Sequence, residues 1–120
     1  MGAVEYVGDT DTIRIVSETR DGREQTTPIW GVVVDGVPYI RNGYGEKSKW
    51  YARVRRTGRL ALADGSTRYP VTVEHVDDPV ELDRIDAAYT AKYRGQEPGV
   101  TEVNAPRVRA FTLRLIPTTA

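Results

Sequence analysis

Alternating hydrophobic and polar positions mark the first part of the chain as β-structure. In Thr12–Glu18, isoleucines alternate with polar residues, which is the pattern of a strand with one buried face. A second strand, Glu24–Val34, ends in an unbroken apolar run at 29–34, and such a run indicates burial on both faces. Asp-Gly turns at 21–22 and 35–36 connect these strands to each other and to a third, Val37–Arg41. This part of the chain therefore predicts three antiparallel strands.

Helical spacing replaces the alternation at two later places. A short helix is predicted over Lys49–Thr57, with Ser48 as its N-cap and Gly58 just past its end. A second helix, at 79–93, should start after Asp78, which precedes a proline and stands three residues before a glutamate, as in a capping box. Three further strands are expected at 60–63, at about 69–73 and at 107–116, with a polar loop at 95–106 before the last one.

Six strands joined mostly by tight turns predict a mainly β fold. Hairpin connections make the sheet antiparallel, and a sheet of this size buries its apolar residues well when it closes into a small barrel. We expect a six-stranded antiparallel barrel with two short peripheral helices, forming a single domain over residues 1–120.

Composition excludes several kinds of site and location. Cysteine is absent, which excludes disulfides, thiolate metal sites and cysteine nucleophiles. The one histidine, His75, stands at a strand end near acidic residues, where a structural role is more common than a metal, so no metal is expected. The opening residues lack the apolar run of a secretory signal, and no run approaches the roughly 20 residues of a membrane helix. We therefore expect a cytoplasmic protein without a membrane partner.

Charge is balanced overall but separated along the chain. Residues 41–59 carry seven basic residues and one acid, whereas residues 74–86 carry six acids and one arginine. Such a bipolar surface attracts an anion to one side and favours contact between two copies. Because a net basic excess is missing, nucleic acid is not an expected partner. A homodimer is expected, also because the helix at 79–93 should cover only part of the apolar run at 29–34.

The connection from the third strand to the first helix has the character of an anion site. Gly43 and Gly45 allow the backbone to approach a ligand closely, and Lys47 and Lys49 place two cations where the helix begins. A glycine turn ahead of a basic helix start is a favourable place for a phosphate. The same residues are equally compatible with an exposed connection, because they match no glycine fingerprint of a nucleotide-binding loop.

Several short motifs, in their order and spacing, resemble the flavin-binding split-barrel superfamily. The motifs are Thr-Thr-Pro-Ile-Trp at 26–30, Val-Val-Asp-Gly-Val-Pro-Tyr-Ile at 33–40, Ser-Lys-Trp-Tyr at 48–51, Arg-Leu-Ala-Leu at 59–62 and Asp-Ala-Ala-Tyr-Thr-Ala-Lys-Tyr at 86–93. They are most similar to the deazaflavin (coenzyme F-420) nitroreductase-like branch and its small uncharacterised relatives. The resemblance covers about 12–117 and implies a six-stranded antiparallel split β-barrel, usually a homodimer with the cofactor between subunits.

The resemblance also implies which residues bind the cofactor. Its phosphate would be held after strand three and at the start of the next helix, by Arg41, Asn42, Lys47, Ser48 and Lys49. Its ring would lie along strand two, against Thr26, Thr27, Pro28 and Ile29, and the aromatic side chain of Trp50 is a further candidate to flank it. Plainer interpretations remain open, because threonine is common in strands, a charged helix start usually faces water, and Trp50 is well placed for the core.

The implied function is an oxidoreductase that uses FMN or a deazaflavin (coenzyme F-420) to pass a hydride to a small acceptor. No constellation of general acids and bases is evident, which suits hydride chemistry because the cofactor carries the reaction. One alternative is a split barrel that binds a flavin-like or other anionic ligand without turnover. Another is a self-associating scaffold. The sequence does not separate the oxidoreductase from the ligand-binding barrel without turnover, and it does not identify the substrate.

Overall fold

The structure is a computed structural model that describes residues 2–43 and 48–118. Within these ranges, six strands form one closed antiparallel barrel in the spatial order β1-β2-β3-β6-β5-β4. The strands are β1 (Thr12–Glu18), β2 (Glu24–Val34), β3 (Val37–Arg41), β4 (Arg59–Asp64), β5 (Thr67–His75) and β6 (Thr112–Pro117). The predicted mainly β fold, a six-stranded antiparallel barrel, is confirmed.

Five helices surround the barrel in the described part of the chain. They are α1 (Ala3–Asp9), α2 (Lys49–Thr57), α3 (Pro79–Lys92), α4 (Gly99–Val103) and α5 (Pro106–Arg109). The two predicted helices are α2 and α3, and both begin as their sequences indicate. The side chain of Ser48 accepts a hydrogen bond from the backbone of Tyr51 at 3.3 Å, and that of Asp78 accepts one from Glu81 at 2.9 Å. None of the described helices is long and apolar enough to cross a membrane.

The prediction of only two helices is wrong, because three short helices were missed. Helix α1 buries Ala3, Tyr6 and Val7, which recur at helical spacing. The polar loop expected at 95–106 contains α4. The last strand begins at Thr112 rather than at residue 107, because Pro106 starts a helical turn that buries Val108.

Because side chains alternate between the two faces of each strand, the apolar side chains pack in two separate cores. The first fills the barrel and contains Ile13, Ile15, Ile40, Leu62, Leu113 and Leu115, with Trp50, Tyr51 and Val54 of α2 closing one end. The second lies outside the barrel, beneath α3, and contains Val32, Tyr39, Val76, Ile85, Tyr89, Tyr93 and Val100. Each fully buried aliphatic side chain stabilises the fold by about 1.5–3 kcal/mol. Within the apolar run at 29–34, Gly31 and Val32 are buried, whereas Ile29, Trp30, Val33 and Val34 remain partly exposed.

The acidic stretch at 74–86 is largely neutralised inside the molecule. Glu74 and Glu81 both pair with Arg114 of β6, at 2.7 and 2.6 Å. Asp83 pairs with Arg109 of α5 at 2.9 Å. Because these acids already have counter-ions, attraction between opposite patches of two copies is weaker than the sequence suggests.

Candidate functional site

An open cleft of about 420 Å³ lies on the outer surface of the barrel, between β2 and α4. Its lining residues are Thr12, Pro28, Ile29, Trp30, Arg41, Gly43, Gly99, Glu102 and Val103. Sites for small molecules ordinarily have volumes of about 300–1,000 Å³, so the cleft is large enough for a ligand. Pro28, Ile29 and Arg41 are among the residues predicted from the sequence to bind a cofactor.

Trp30 of β2 provides a rigid aromatic wall. Its indole stacks on Tyr93, which directly follows α3, with ring centroids 4.0 Å apart and planes inclined by 9°. The Tyr93 hydroxyl donates to the carbonyl of Asp11 at 2.6 Å and accepts from the backbone N–H of Gly31 at 3.0 Å. Burial raises the pKa of Tyr93, so the hydroxyl stays protonated and keeps donating. The indole is therefore held in one orientation at the cleft.

Helix α4 forms the facing wall and approaches the indole very closely. A Cβ placed on Gly99 would lie 2.7 Å from Cη2 of Trp30, so a side chain at this position would displace the helix or the ring. Glu102 and Val103 follow on the same helix, and the Glu102 side chain is exposed. The wall is thus largely apolar, with one carboxylate.

Arg41 lines the cleft, but its side chain is fully buried and bound to the protein itself. Its partners are the carboxylate of Asp86, the carbonyls of Leu82 and Val103, the side-chain oxygen of Asn104 and the hydroxyl of Thr112, at 2.6–3.3 Å. All three nitrogens of its guanidinium therefore have partners. Arg41 ties β3 to α3, to β6 and to the end of α4.

The predicted phosphate cradle is only partly open to solvent. Asn42 is fully buried, and its backbone N–H donates to the carbonyl of Phe111 at 3.3 Å. Ser48 is buried and caps α2, while Lys49 is exposed on the first turn of that helix. Lys47 lies outside the described residues. In the described part of the cradle, Lys49 is the cation that faces solvent.

The remaining predicted ring contacts lie away from the cleft lining. Thr26 is exposed on the same face of β2 as Pro28, because residues two apart in a strand share a face. Thr27 is half-buried and pairs with Ile15, which faces the barrel interior. Trp50 is only 5% exposed and belongs to the barrel core. Its position agrees with the plainer interpretation of this residue.

Several residues of the cleft were missed in the sequence. These are Thr12, Trp30, Gly99, Glu102 and Val103. A signal for α4 was present, because two valines spaced by three follow Pro98. Arg107, expected in a strand, instead lies in α5 and donates to the carbonyl of Gly43 at 3.3 Å. Arg107 therefore brings a second cation to the start of the connection between β3 and α2.

Metal chemistry has no evident place among the described residues. Nowhere in residues 2–43 and 48–118 do three or more His, Asp or Glu side chains gather as a metal site would require. The nitrogen Nε2 of His75 lies 2.8 Å from the carbonyl of Ala110, which is a structural contact.

Comparison of sequences gives one family match. Residues 3–115 match a family described as uncharacterized proteins conserved in bacteria, DUF2255. No curated protein matches the sequence. A solved structure, the conserved hypothetical protein Rv2991 from Mycobacterium tuberculosis, is similar with a TM-score of 0.72 at 22% identity. The similarity covers 97% of this chain and 78% of that one.

Two further solved structures are named for their cofactors. An F420-H2 dependent reductase, FDR-A, is similar with a TM-score of 0.64 at 14% identity, over 88% of this chain and 93% of that one. A FAD-binding protein from Mesorhizobium loti has a TM-score of 0.62 at 16% identity, over 99% and 91%. These identities show the fold alone. The fold they share with this chain is the six-stranded split barrel that the motifs predicted.

Proposed function

The chain belongs to DUF2255, a family of uncharacterized proteins conserved in bacteria, and we propose that it binds a flavin-type cofactor, FMN or a deazaflavin, in the cleft between β2 and α4. The observation that carries this proposal is the position of the cleft. It joins the residues of strand two to the end of strand three, as the resemblance implies for a flavin site. The fold is also shared with a reductase that uses F420-H2 and with a FAD-binding protein.

The lining residues suit a flat ring with polar edges. Pro28 and Trp30 on β2 and Val103 on α4 offer apolar surface on both sides of the cleft, while the side chain of Ile29 packs against the barrel core. A planar aromatic ring gains about 0.5–1.5 kcal/mol from a well-oriented aromatic neighbour beyond the area it buries. We assign Thr26, next to Pro28 on the exposed face of β2, to the polar edge of the ring. Thr27 remains a weaker candidate because it faces the barrel.

The phosphate of the cofactor is assigned to the turn between β3 and α2. Lys49 is exposed there, Arg107 reaches the carbonyl of Gly43, and Lys47 belongs to the same turn in sequence. We assign Asn42 and Ser48 the shaping of this turn, since one is buried and the other caps α2. Arg41 is assigned to hold α4 rather than to contact the phosphate.

The proposed activity is transfer of a hydride to a small acceptor. A bound flavin or deazaflavin supplies the hydride chemistry, while the chain binds and orients the ring and excludes water from one of its faces. A second candidate function is binding without turnover. It is supported by the cleft lining, in which Glu102 is the only carboxyl group among the residues that the structure describes and is exposed. Oxidation of the reduced cofactor by added nitro or quinone compounds distinguishes the two.

Replacing both Lys47 and Lys49 with alanine should weaken FMN or deazaflavin binding by about tenfold or more. Each charge-assisted hydrogen bond to a phosphate contributes at most about 1.5–3 kcal/mol, and thermal stability should change little. The affinity is measured by titrating the purified protein with each cofactor while its fluorescence is recorded.

A matched control is the double variant Arg20→Ala and Arg23→Ala, which removes the same charge from the exposed turn between β1 and β2. It should bind like the parent. If the lysine variant also binds like the parent, the phosphate does not lie at this turn. If the parent binds neither cofactor below about millimolar concentration, which corresponds to roughly −4 kcal/mol, the proposed function fails.

We further propose a homodimer with the cleft at its seam. Pro28 is exposed and Trp30 is only half-buried at the open cleft, although α3 covers much of the adjacent apolar run. The contact should be mainly apolar and survive high salt, because exposed ion pairs contribute only about 0–1 kcal/mol each. Light scattering at micromolar protein concentration measures the oligomeric state at low and at high salt. A species of 13.4 kDa at both low and high salt would show a monomer and leave the cleft open to water.

A further inference from the structure

Lys92, at the end of α3, places its amine in a second groove that shares no lining residue with the cofactor cleft. This groove has a volume of about 440 Å³ and is lined by Gly8, Val32, Val33, Ala88, Ala91 and Lys92. Apart from Lys92, every lining residue is glycine, alanine or valine. The side chain of Lys92 is half-buried, so the amine lies at an apolar surface that remains open to small molecules.

Two backbone carbonyls hold the amine of Lys92 in place. Nζ donates to the carbonyl of Val7 in α1 and to the carbonyl of Gly31 in β2, each at 2.6 Å. It also lies 5.0 Å from the ring centre of Tyr93. A neutral amine has two N–H groups and one lone pair, so the two carbonyls occupy both N–H groups. The lone pair then points away from both carbonyls, as a nucleophile requires.

The surroundings of Lys92 favour the neutral amine at mildly alkaline pH. Burial lowers its pKa to about 8, although the carboxylates of Asp9 and Asp11 act in the opposite direction. Tyr93, which directly follows α3 and whose ring centre lies 5.0 Å from the amine, has a pKa that burial raises, and the residues of β2 that line the groove are apolar. About half of the amine is therefore neutral near pH 8, compared with less than about 1% for an ordinary lysine of pKa about 10.4.

We propose that Lys92 is a covalent binding site for small apolar aldehydes, which its amine captures as an imine in this groove. The lone pair of Nζ attacks the carbonyl carbon and a C–N bond forms. The carbonyl oxygen then leaves as water, so the net change is amine plus aldehyde to imine plus water. No oxidant or reductant takes part. This site is independent of the proposed flavin site.

Few other amines compete, which makes the site easy to map. The chain has 3 lysines against 14 arginines, and the other two lysines are Lys47 and Lys49. Lys49 serves as an internal reference because it is exposed on the first turn of α2 and does not line this groove.

The test treats the full chain with benzaldehyde at pH 6–10, traps imines with cyanoborohydride and measures the modified peptides by mass spectrometry. At pH 8, Lys92 should be modified about tenfold faster than Lys49, because its larger neutral fraction outweighs the lower nucleophilicity of a less basic amine, and the rate should rise between pH 6 and 8. Modification of the Lys92 peptide should disappear in Lys92→Arg, which keeps a cation and donors for both carbonyls. If Lys92 of the parent protein is modified less than about threefold faster than Lys49, the proposal is overturned. That comparison needs no variant, so it holds even if Lys92→Arg folds poorly.

Discussion

Replacing Arg41 with alanine should destabilise the protein by about 2–4 kcal/mol and loosen α4 from the barrel. The loss of one partner from a buried ion pair costs about 3–5 kcal/mol when the other charge stays buried and unpaired. Asp86 is 25% exposed at its side chain and keeps Arg109 at 3.3 Å, so we expect a value below the top of that range. Asn104 and the carbonyl of Val103 lose a donor in the same step.

The loss in the free energy of unfolding is measured by urea titration, with circular dichroism as the signal. The matched control is Arg84→Ala, which removes an exposed arginine of α3 whose partner, Asp35, is also exposed. A surface pair of this kind contributes about 0–1 kcal/mol. Arg41→Lys should fall between the two, since it keeps the charge but loses most of the hydrogen bonds. If Arg41→Ala costs no more than Arg84→Ala, Arg41 does not hold the wall of the cleft.

Substituting valine for Gly99 should weaken flavin binding by about tenfold and lower stability by about 1–3 kcal/mol. The new Cβ would lie 2.7 Å from Cη2 of Trp30. Either α4 or the indole must then move, and both are walls of the cleft. Flavin fluorescence titration gives the affinity, and urea unfolding gives the stability.

Two further variants show whether the clash with Trp30 causes the weaker flavin binding and the lower stability of Gly99→Val. Gly8→Ala adds a methyl group in α1 at 3.4 Å from Val33, an ordinary contact, and should leave flavin affinity unchanged. Adding Trp30→Leu to Gly99→Val should restore stability by relieving the clash, but not affinity, because the aromatic wall is then absent. Parent-like affinity in Gly99→Val would place the ring elsewhere.

Local signals in the sequence were sufficient for most of the fold. Ser48, Gly58 and Asp78 act within one helical turn of their own positions, so the caps of α2 and α3 follow from neighbouring residues. Strand alternation and the Asp-Gly turns depend equally on near neighbours. These are the features that the sequence predicted correctly.

Helix α1 was missed because its stability comes from distant residues. Its length of seven residues is well below the roughly 12–15 that an isolated helix needs. The hydroxyl of Tyr6 donates to the carbonyl of Ala63 in β4 at 2.7 Å, and Lys92 of α3 binds the carbonyl of Val7. Such contacts exist only once the barrel has formed.

The interpretation of Arg41 depends on distant partners in the same way. In the sequence it stands beside Asn42, Lys47 and Lys49 and belongs to a basic stretch. In the fold its guanidinium meets the carboxylate of Asp86 instead. A charge pattern along the chain does not reveal which charges are paired across it. The residues proposed from the sequence therefore include some that line the strand side of this cleft, but none from α4.

Whether a flavin occupies the cleft is decided by the two tryptophan indole N–H signals in a ¹H–¹⁵N NMR spectrum during titration with FMN and with a deazaflavin. The chain has two tryptophans, one in the cleft and one in the barrel core, so Trp30→Phe assigns both signals. We predict that the Trp30 signal shifts and saturates with ligand, since a stacked ring changes the field at the indole, while the Trp50 signal stays nearly fixed. A Trp30 signal that does not move with either cofactor up to millimolar concentration would contradict the assignment of the cleft as a flavin site.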